Sequence, residues 1–332
     1  MANLATRYLG LDLASPILAA SSPFTGSVES IKRLELAGIG AVVLRSIFEE
    51  QIRADVAGMA SSFDVQQHAE VYDYIRADLP MQLGPERYLQ LIRDAKQAVG
   101  VPVIASINCL EPDQWTAFAR KVEVAGADAL ELNVYDIPTG PALTGAALEA
   151  RHLALVRSVC ERVRIPVAVK IGPQYSSIPH MVQQLAASGA KGVVLFNRFY
   201  QPQIDLETQA LKRGMNLSRS SDAGLVIRWL AILRNHVDCD LSMTTGVHTA
   251  EDVLRGVLAG ATTVQICSAL YGQSRFGVIG EMHAGIRAWL EQKQYESLSD
   301  ARGTLSEPAE HADRGFARAQ YVSTLVEAAE SQ

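Results

Sequence analysis

Eight times between Pro16 and Gln292, an apolar run of four or five residues precedes a longer segment whose apolar residues recur at helical spacing. This alternation restricts the fold more than any other feature, because strands separated by helices pair in parallel and bury both faces of their sheet. The runs are Pro16–Ala20, Ala41–Arg45, Val103–Ile107, Ala129–Asn133, Val167–Ile171, Gly192–Phe196, Leu241–Thr244 and Thr263–Ile266. Helices are predicted over Val28–Ala37, Glu86–Ala98, Pro112–Ala125, Leu148–Arg162, Ile178–Ala187, Ala223–Asn235, Ala250–Ala259 and Phe276–Gln292. Four end alike, at Ala37-Gly38, Ala125-Gly126, Ser188-Gly189 and Ala259-Gly260, where a glycine supplies the left-handed residue that stops a helix. The pattern predicts a parallel (β/α)8 TIM barrel over residues 1–294, with a short C-terminal extension, 295–332, that is weakly helical from Arg314 to Ala329.

A chain of 332 residues that is 48% hydrophobic can fill such a core. Its net charge of −6, with no basic stripe, argues against a nucleic-acid partner. No leader pattern and no bilayer-length apolar segment is present, so the expectation is a cytoplasmic protein with no membrane contact. Cys109, Cys160, Cys239 and Cys267 are scattered, without Cys-x-x-Cys or a histidine at ligand spacing. Neither a disulfide framework nor a metal site is expected, and most of the thiols read as small core residues.

In a barrel of this kind the chemistry lies at the C-terminal ends of the strands. Two long connections, Ser46 to Pro85 and Asn197 to Asp222, both follow strands and are therefore candidate lids. The strand ends themselves are polar: Ser21-Ser22, Arg45-Ser46, Ser106 with Asn108, Asn133 with Asp136, Lys170, Asn197-Arg198, Thr244-Thr245-Gly246 and Cys267-Ser268. The last two turns each follow a strand of one strand–helix–strand unit, so in a parallel barrel their backbone N–H groups reach the same rim and can share a phosphate. Taken alone, Gly246 reads equally as the glycine of a tight turn. Lys170 lies within Pro166–Pro173, a buried strand, where a cation must be paired or face a ligand. A flavin suits it, since a lysine near N1 stabilises the charge of the reduced ring. Asn133 offers a donor and an acceptor to a planar heterocycle.

Those residues, in their order, resemble the dihydroorotate dehydrogenase family of FMN-containing barrels, especially its soluble branch, along nearly all of Pro16 to Trp289. The matching pieces are Ala19-Ala20-Ser21, Glu131-Leu132-Asn133, Val169-Lys170, Ala223-Gly224-Leu225-Val226-Ile227, Thr245-Gly246-Val247 and Val264 to Tyr271. The resemblance implies FMN, with Ala20, Ser21, Asn108, Asn133, Lys170, Gly224, Thr245, Gly246, Cys267 and Ser268 at the cofactor. It also implies a homodimer, and leaves room for an electron-transfer partner protein.

The chain departs from that family where substrate is handled. The family reads N-x-S-C-P-N or N-x-S-S-P-N after the fourth strand, and its cysteine or serine removes the substrate proton while hydride goes to the flavin. Here the segment is Asn133-Val134-Tyr135-Asp136-Ile137-Pro138, which puts Asp136 at the base position and Pro138 at that of an orotate-binding asparagine. Asp136 reads as a catalytic general base or as a loop acid that caps a turn. Arg45 stands for the family lysine after the second strand, and its planar fork suits a carboxylate. Asn197 is kept, and Arg198 and Tyr200 beside it offer a carboxylate clamp and a stacking face, although Phe199 and Tyr200 read equally as pins for the long loop. An asparagine-containing segment expected after the second strand is absent, with Ser61-Ser62-Phe63-Asp64 near its place. Arg45, Asn197 and Arg198 are thus the candidate contacts to a small, carboxylate-bearing substrate. The expected activity is FMN-dependent oxidation of dihydroorotate, in pyrimidine biosynthesis, or of a related compound. Two alternatives stand beside it: a non-redox phosphate-binding isomerase or lyase using Lys170, and a non-catalytic flavin-binding subunit.

Overall fold

A computed structural model describes residues 2–49, 84–108, 112–136, 138–198, 203–212, 216–308, 321–324 and 326. Most of the first candidate lid, with Ser61–Asp64, lies outside them, as do Cys109, Phe199, Tyr200 and most of the predicted C-terminal helix. The chain opens with a hairpin, β1 (Thr6–Tyr8) and β2 (Leu11–Leu13). It continues through β3 (Ile17–Ala19), α1 (Val28–Leu36), β4 (Ala41–Val43), a two-residue β5 (Ile47–Phe48), α2 (Pro85–Ala98) and β6 (Val103–Asn108). Then come α3 (Pro112–Val124), β7 (Ala129–Asn133), α4 (Gly145–Cys160), β8 (Val167–Ile171), α5 (Ile178–Ala187) and β9 (Gly192–Leu195). A second hairpin, β10 (Gln203–Asp205) with β11 (Ala210–Lys212), interrupts the long connection before α6 (Gly224–Leu233). The chain ends through β12 (Asp240–Thr244), α7 (Ala250–Ala259), β13 (Thr263–Ile266), α8 (Gly277–Gln292) and α9 (Leu298–Ala301).

Strands β3, β4, β6, β7, β8, β9, β12 and β13 form one parallel ring, closed by the pairing of β4 with β6. The expected (β/α)8 barrel is therefore the fold. The four glycine stops share one geometry. Gly38, Gly126, Gly189 and Gly260 have φ between 94° and 121°, and the residue after each donates back into the last turn, as Ile39 does to Leu34 and Ala261 to Gly256.

Period-two alternation divides each strand between two cores. Outward residues such as Val42, Ile107, Leu132, Val169, Val193 and Met243 pack under the helices. Inward residues Leu18, Ala41, Val43, Ile104, Ala129, Ala168 and Val194 fill the lower lumen. The first hairpin stoppers that end: Tyr8 and Leu9 are 1% and 4% exposed and belong to the lumen cluster. The Leu9 amide donates to Asp240 Oδ2 at 2.7 Å. A side chain at Gly192 would meet Leu9 Cδ2 at 2.7 Å, so glycine there makes room for the plug. Residues following α9 lie along α7 and α6, with Gly303 and Leu305 amides donating to Val257 and Leu258 and the Glu307 amide to Ala231.

Candidate functional site

Above the apolar plug the lumen turns polar. Ser106, Glu131, Lys170, Ser242, Thr263 and Gln265 are all buried. Gln265 Nε2 donates to Glu131 Oε2 at 2.7 Å across the barrel, since β7 and β13 stand four strands apart in the ring. Strand register aligns the next inward positions: Asn108 pairs with Asn133, and Asn133 with Lys170. Three polar side chains from consecutive strands thus meet at one rim.

Several of these groups lack a protein partner. Among the described residues Lys170, 9% exposed, makes no side-chain hydrogen bond or ion pair. Asn108 Nδ2, Glu131 Oε1 and Gln265 Oε1 are buried without a hydrogen bond. Each unpaired neutral group costs about 1–3 kcal/mol and an unpaired charge costs more. Four such groups around one lumen fit a pocket built for a polar ligand better than a sealed core.

The two turns proposed to hold a phosphate adjoin. β12 and β13 are neighbours, so Thr245-Gly246 and Cys267-Ser268 leave the sheet side by side. A Cβ on Gly246 would stand 2.6 Å from the Ala223 nitrogen, which fixes the turn against the start of α6 at Gly224. A Cβ on Gly224 itself would meet nothing within 4 Å. Ser218 ties the second candidate lid to both turns, its amide donating to Ser268 Oγ at 3.0 Å and its hydroxyl lying 3.2 Å from His248 Nε2. Among the described residues the backbone N–H groups of Thr245, Gly246, Cys267 and Ser268 donate to no protein acceptor. Thr245, a β-branched residue, sits at φ 77° and Gly246 at φ 76°. The strained Thr245 backbone is held by its surroundings, including a bond from Thr245 Oγ1 to the Phe196 carbonyl at 3.2 Å.

Lys170 reaches this region electrostatically. Burial pushes the Cys267 thiol up, and the Lys170 charge works against that shift. The first strand end contributes a hydroxyl chain, with Ser21 Oγ 3.0 Å from Ser46 Oγ and Ser46 Oγ 2.7 Å from Ser106 Oγ. Ala20 is buried beside it, its amide bonded to the Ile266 carbonyl. Donor turns, an amide-rich rim and an unpaired lysine together fit FMN, whose phosphate needs N–H donors and whose ring needs polar contacts at one edge.

The candidate substrate residues divide. Asn197 Nδ2 donates to Asn133 Oδ1 at 2.7 Å, joining a candidate substrate contact to a candidate cofactor contact. Arg45 is half-buried at the end of β4, its stem beside Gly26. Arg198 faces the lid instead, donating to the Asn216 carbonyl at 2.6 Å and lying 3.8 Å from Asp222. Asp136 lies in a small cavity between the loops after β7 and β8. Its Oδ2 accepts from Arg151 and lies 3.3 Å from His152 Nε2, and His152 Nδ1 lies 3.0 Å from the Tyr175 hydroxyl. The His152 hydrogen bond, then Arg151, hold the Asp136 carboxyl below its ordinary range against the opposing effect of burial. Arg151, His152 and Tyr175 escaped the sequence reading. A histidine on the apolar face of a helix gives no sign of the loop acid it will meet, although Arg151-His152 beside a polar loop was visible.

Among the described residues no group of three or more His, Cys, Asp or Glu side chains can hold a metal, and no helix is long and apolar enough to cross a membrane.

The family model for dihydroorotate dehydrogenase matches residues 75–288. A dihydroorotate dehydrogenase B (NAD(+)) catalytic subunit from Methanosarcina acetivorans is 30% identical, over 90% of this chain and 94% of its own length. The subunit of the same name from Thermoplasma volcanium is 25% identical, over 91% and 98%. A dihydroorotate dehydrogenase A (fumarate) from Lactobacillus delbrueckii subsp. bulgaricus is 24% identical, over 92% and 99%.

Proposed function

Since the chain belongs to the dihydroorotate dehydrogenase family, we propose that it is an FMN-dependent oxidoreductase that oxidises dihydroorotate or a closely related carboxylate-bearing compound. The observation that carries this reading is the convergence of backbone donors at Thr245-Gly246 and Cys267-Ser268 with Lys170 over one lumen, none of them partnered among the described residues. A non-redox barrel with a catalytic lysine accounts for Lys170 but not for Asn108 Nδ2, which is buried without a hydrogen bond at the same rim. FMN bound in this mouth supplies the hydride acceptor.

The chain's own residues supply the rest. Asn108, Asn133 and Lys170 would hold the polar edge of the ring, the two C-terminal turns and Gly224 would hold the phosphate, and Ala20 and Ser21 would line the same site. Arg45 and Asn197 orient the substrate carboxylate and amide. Asp136 takes the substrate proton through Oδ1, the oxygen left without a protein partner among the described residues, while Arg151 and His152 steady Oδ2. Names of the relatives carry both NAD(+) and fumarate, and we assign this chain to a homodimeric catalytic subunit whose electrons leave to a small acceptor or a partner protein.

The test is anaerobic mixing of the purified yellow protein with dihydroorotate, with flavin absorbance as the readout. Rapid bleaching is the expected result. A protein that carries FMN but is reduced by neither dihydroorotate nor its close carboxylate analogues would reject the oxidoreductase assignment in favour of a flavin-binding subunit. A colourless protein would reject the flavin itself.

A further inference from the structure

Glu131 is the buried acid that the proposed chemistry leaves unused. It is 1% exposed, one carboxyl oxygen accepts only from Gln265 Nε2, and the other accepts nothing. Among the described residues it has no ion-pair partner. It occupies the inward position directly below Asn133 on β7, and register places it beside Ser106 and Ala168, the latter one inward step below Lys170. Two residues along a strand span about 6–7 Å. The acid therefore sits one layer beneath the rim that Asn133 and Lys170 define, braced across the lumen from the opposite strand.

A stability role explains this poorly. A buried acid and amide bonded to each other, each with an orphaned oxygen, are worse for folding than two apolar side chains of the same volume. A carboxylate near a redox group would have a different consequence. With FMN bound, Lys170 would favour negative charge arriving on the ring, and a carboxylate at Glu131 would oppose it. We propose that Glu131, held in place by Gln265, sets the reduction potential of the flavin by offsetting Lys170, an inference that rests on the FMN reading above. Glu131 touches no reacting atom and is a positioning residue for charge.

The test compares midpoint potentials of FMN-loaded wild type and Glu131→Gln by reductive titration against a reference dye. The carboxylate's removal is expected to move the midpoint in the positive direction, raising the ratio of reduced to oxidised flavin at fixed ambient potential by about 10- to 100-fold, the order expected for one nearby charge at a protein-like dielectric. FMN affinity should stay within about twofold of wild type. If Glu131→Gln does not fold, the volume-conserving pair Glu131→Leu with Gln265→Leu removes the same charge without an unpaired amide, and the same positive shift is expected. An unchanged midpoint in a flavin-loaded variant overturns the inference. Loss of FMN from folded variants overturns it too, because the pair then belongs to the binding surface. A wild type without FMN removes the flavin reading and this inference together, whereas a yellow wild type without a shift removes this one alone.

Discussion

Asp136 and His152 are joined through a single oxygen: His152 Nε2 lies 3.3 Å from Asp136 Oδ2, which also takes the Arg151 guanidinium. The loop after β7 is thereby fastened to the first turns of α4. Oδ2 makes both contacts, so anchoring and the proposed role as base can be tested separately on this one carboxylate.

Replacing Asp136 with Asn separates them. The amide can keep the anchor through its carbonyl oxygen but cannot accept a proton at neutral pH. Flavin reduction by substrate should slow by about two to four orders of magnitude if Asp136 is the base. Stopped-flow reduction at the wild-type rate, with a lowered melting temperature, would leave it only the anchoring part.

The same carboxyl makes a prediction in acid. Its folded value is depressed below the ordinary 3.8, so its contribution to stability is complete above the unfolded value and disappears as pH falls through the folded one. Urea midpoints of wild type and Asp136→Asn should differ most near neutrality and converge as pH falls through the depressed folded value. A constant difference across that range would mean that the anchor does not depend on charge.

Lys170→Ala removes the unpartnered cation of the lumen. FMN dissociation should become about 10- to 100-fold more favourable, the range expected for losing a charged hydrogen bond. Fluorescence titration of apoprotein with FMN reads this directly, and an unchanged dissociation constant would move the ring elsewhere.

Gly246→Ala tests the phosphate turn. At φ 76°, with Ala223 atoms at 2.6–2.9 Å from the new methyl, the backbone must shift. A loss of about 1–3 kcal/mol is expected from the strained conformation alone. The denaturation midpoint of apoprotein measures that loss, and FMN affinity should fall in parallel. Gly224→Ala, by contrast, has open space and should fold as wild type does, so any loss of FMN there reports contact with the ligand.

Barrel strands and helix stops were legible because each is a local rule: a continuous apolar run, or a glycine where φ must be positive. The first hairpin was not, since Arg7-Tyr8-Leu9-Gly10-Leu11 is too short to show a period and its plug role depends on Gly192 nearly two hundred residues later. β10 and β11 were lost for the same reason, three-residue strands inside a polar connection. At the mouth, residue types at strand ends could be read one by one, but partnerships could not. Asn197 with Asn133, Glu131 with Gln265, and Arg198 with the lid backbone are consequences of ring closure, which sequence separation conceals. Arg198 illustrates this: the sequence offers a cation beside a strand end, and only the fold adds its bond to the Asn216 carbonyl.

Tyr8 and Leu9 turn the barrel into a blind well. With one end stoppered, whatever enters must leave by the way it came. An oxidant and a reductant that both need the same opening must take turns there, each departing before the next arrives, unless electrons travel through the protein wall to a neighbour. Initial-rate plots at several fixed acceptor concentrations should accordingly give parallel lines for a diffusible acceptor and intersecting ones for a docked partner.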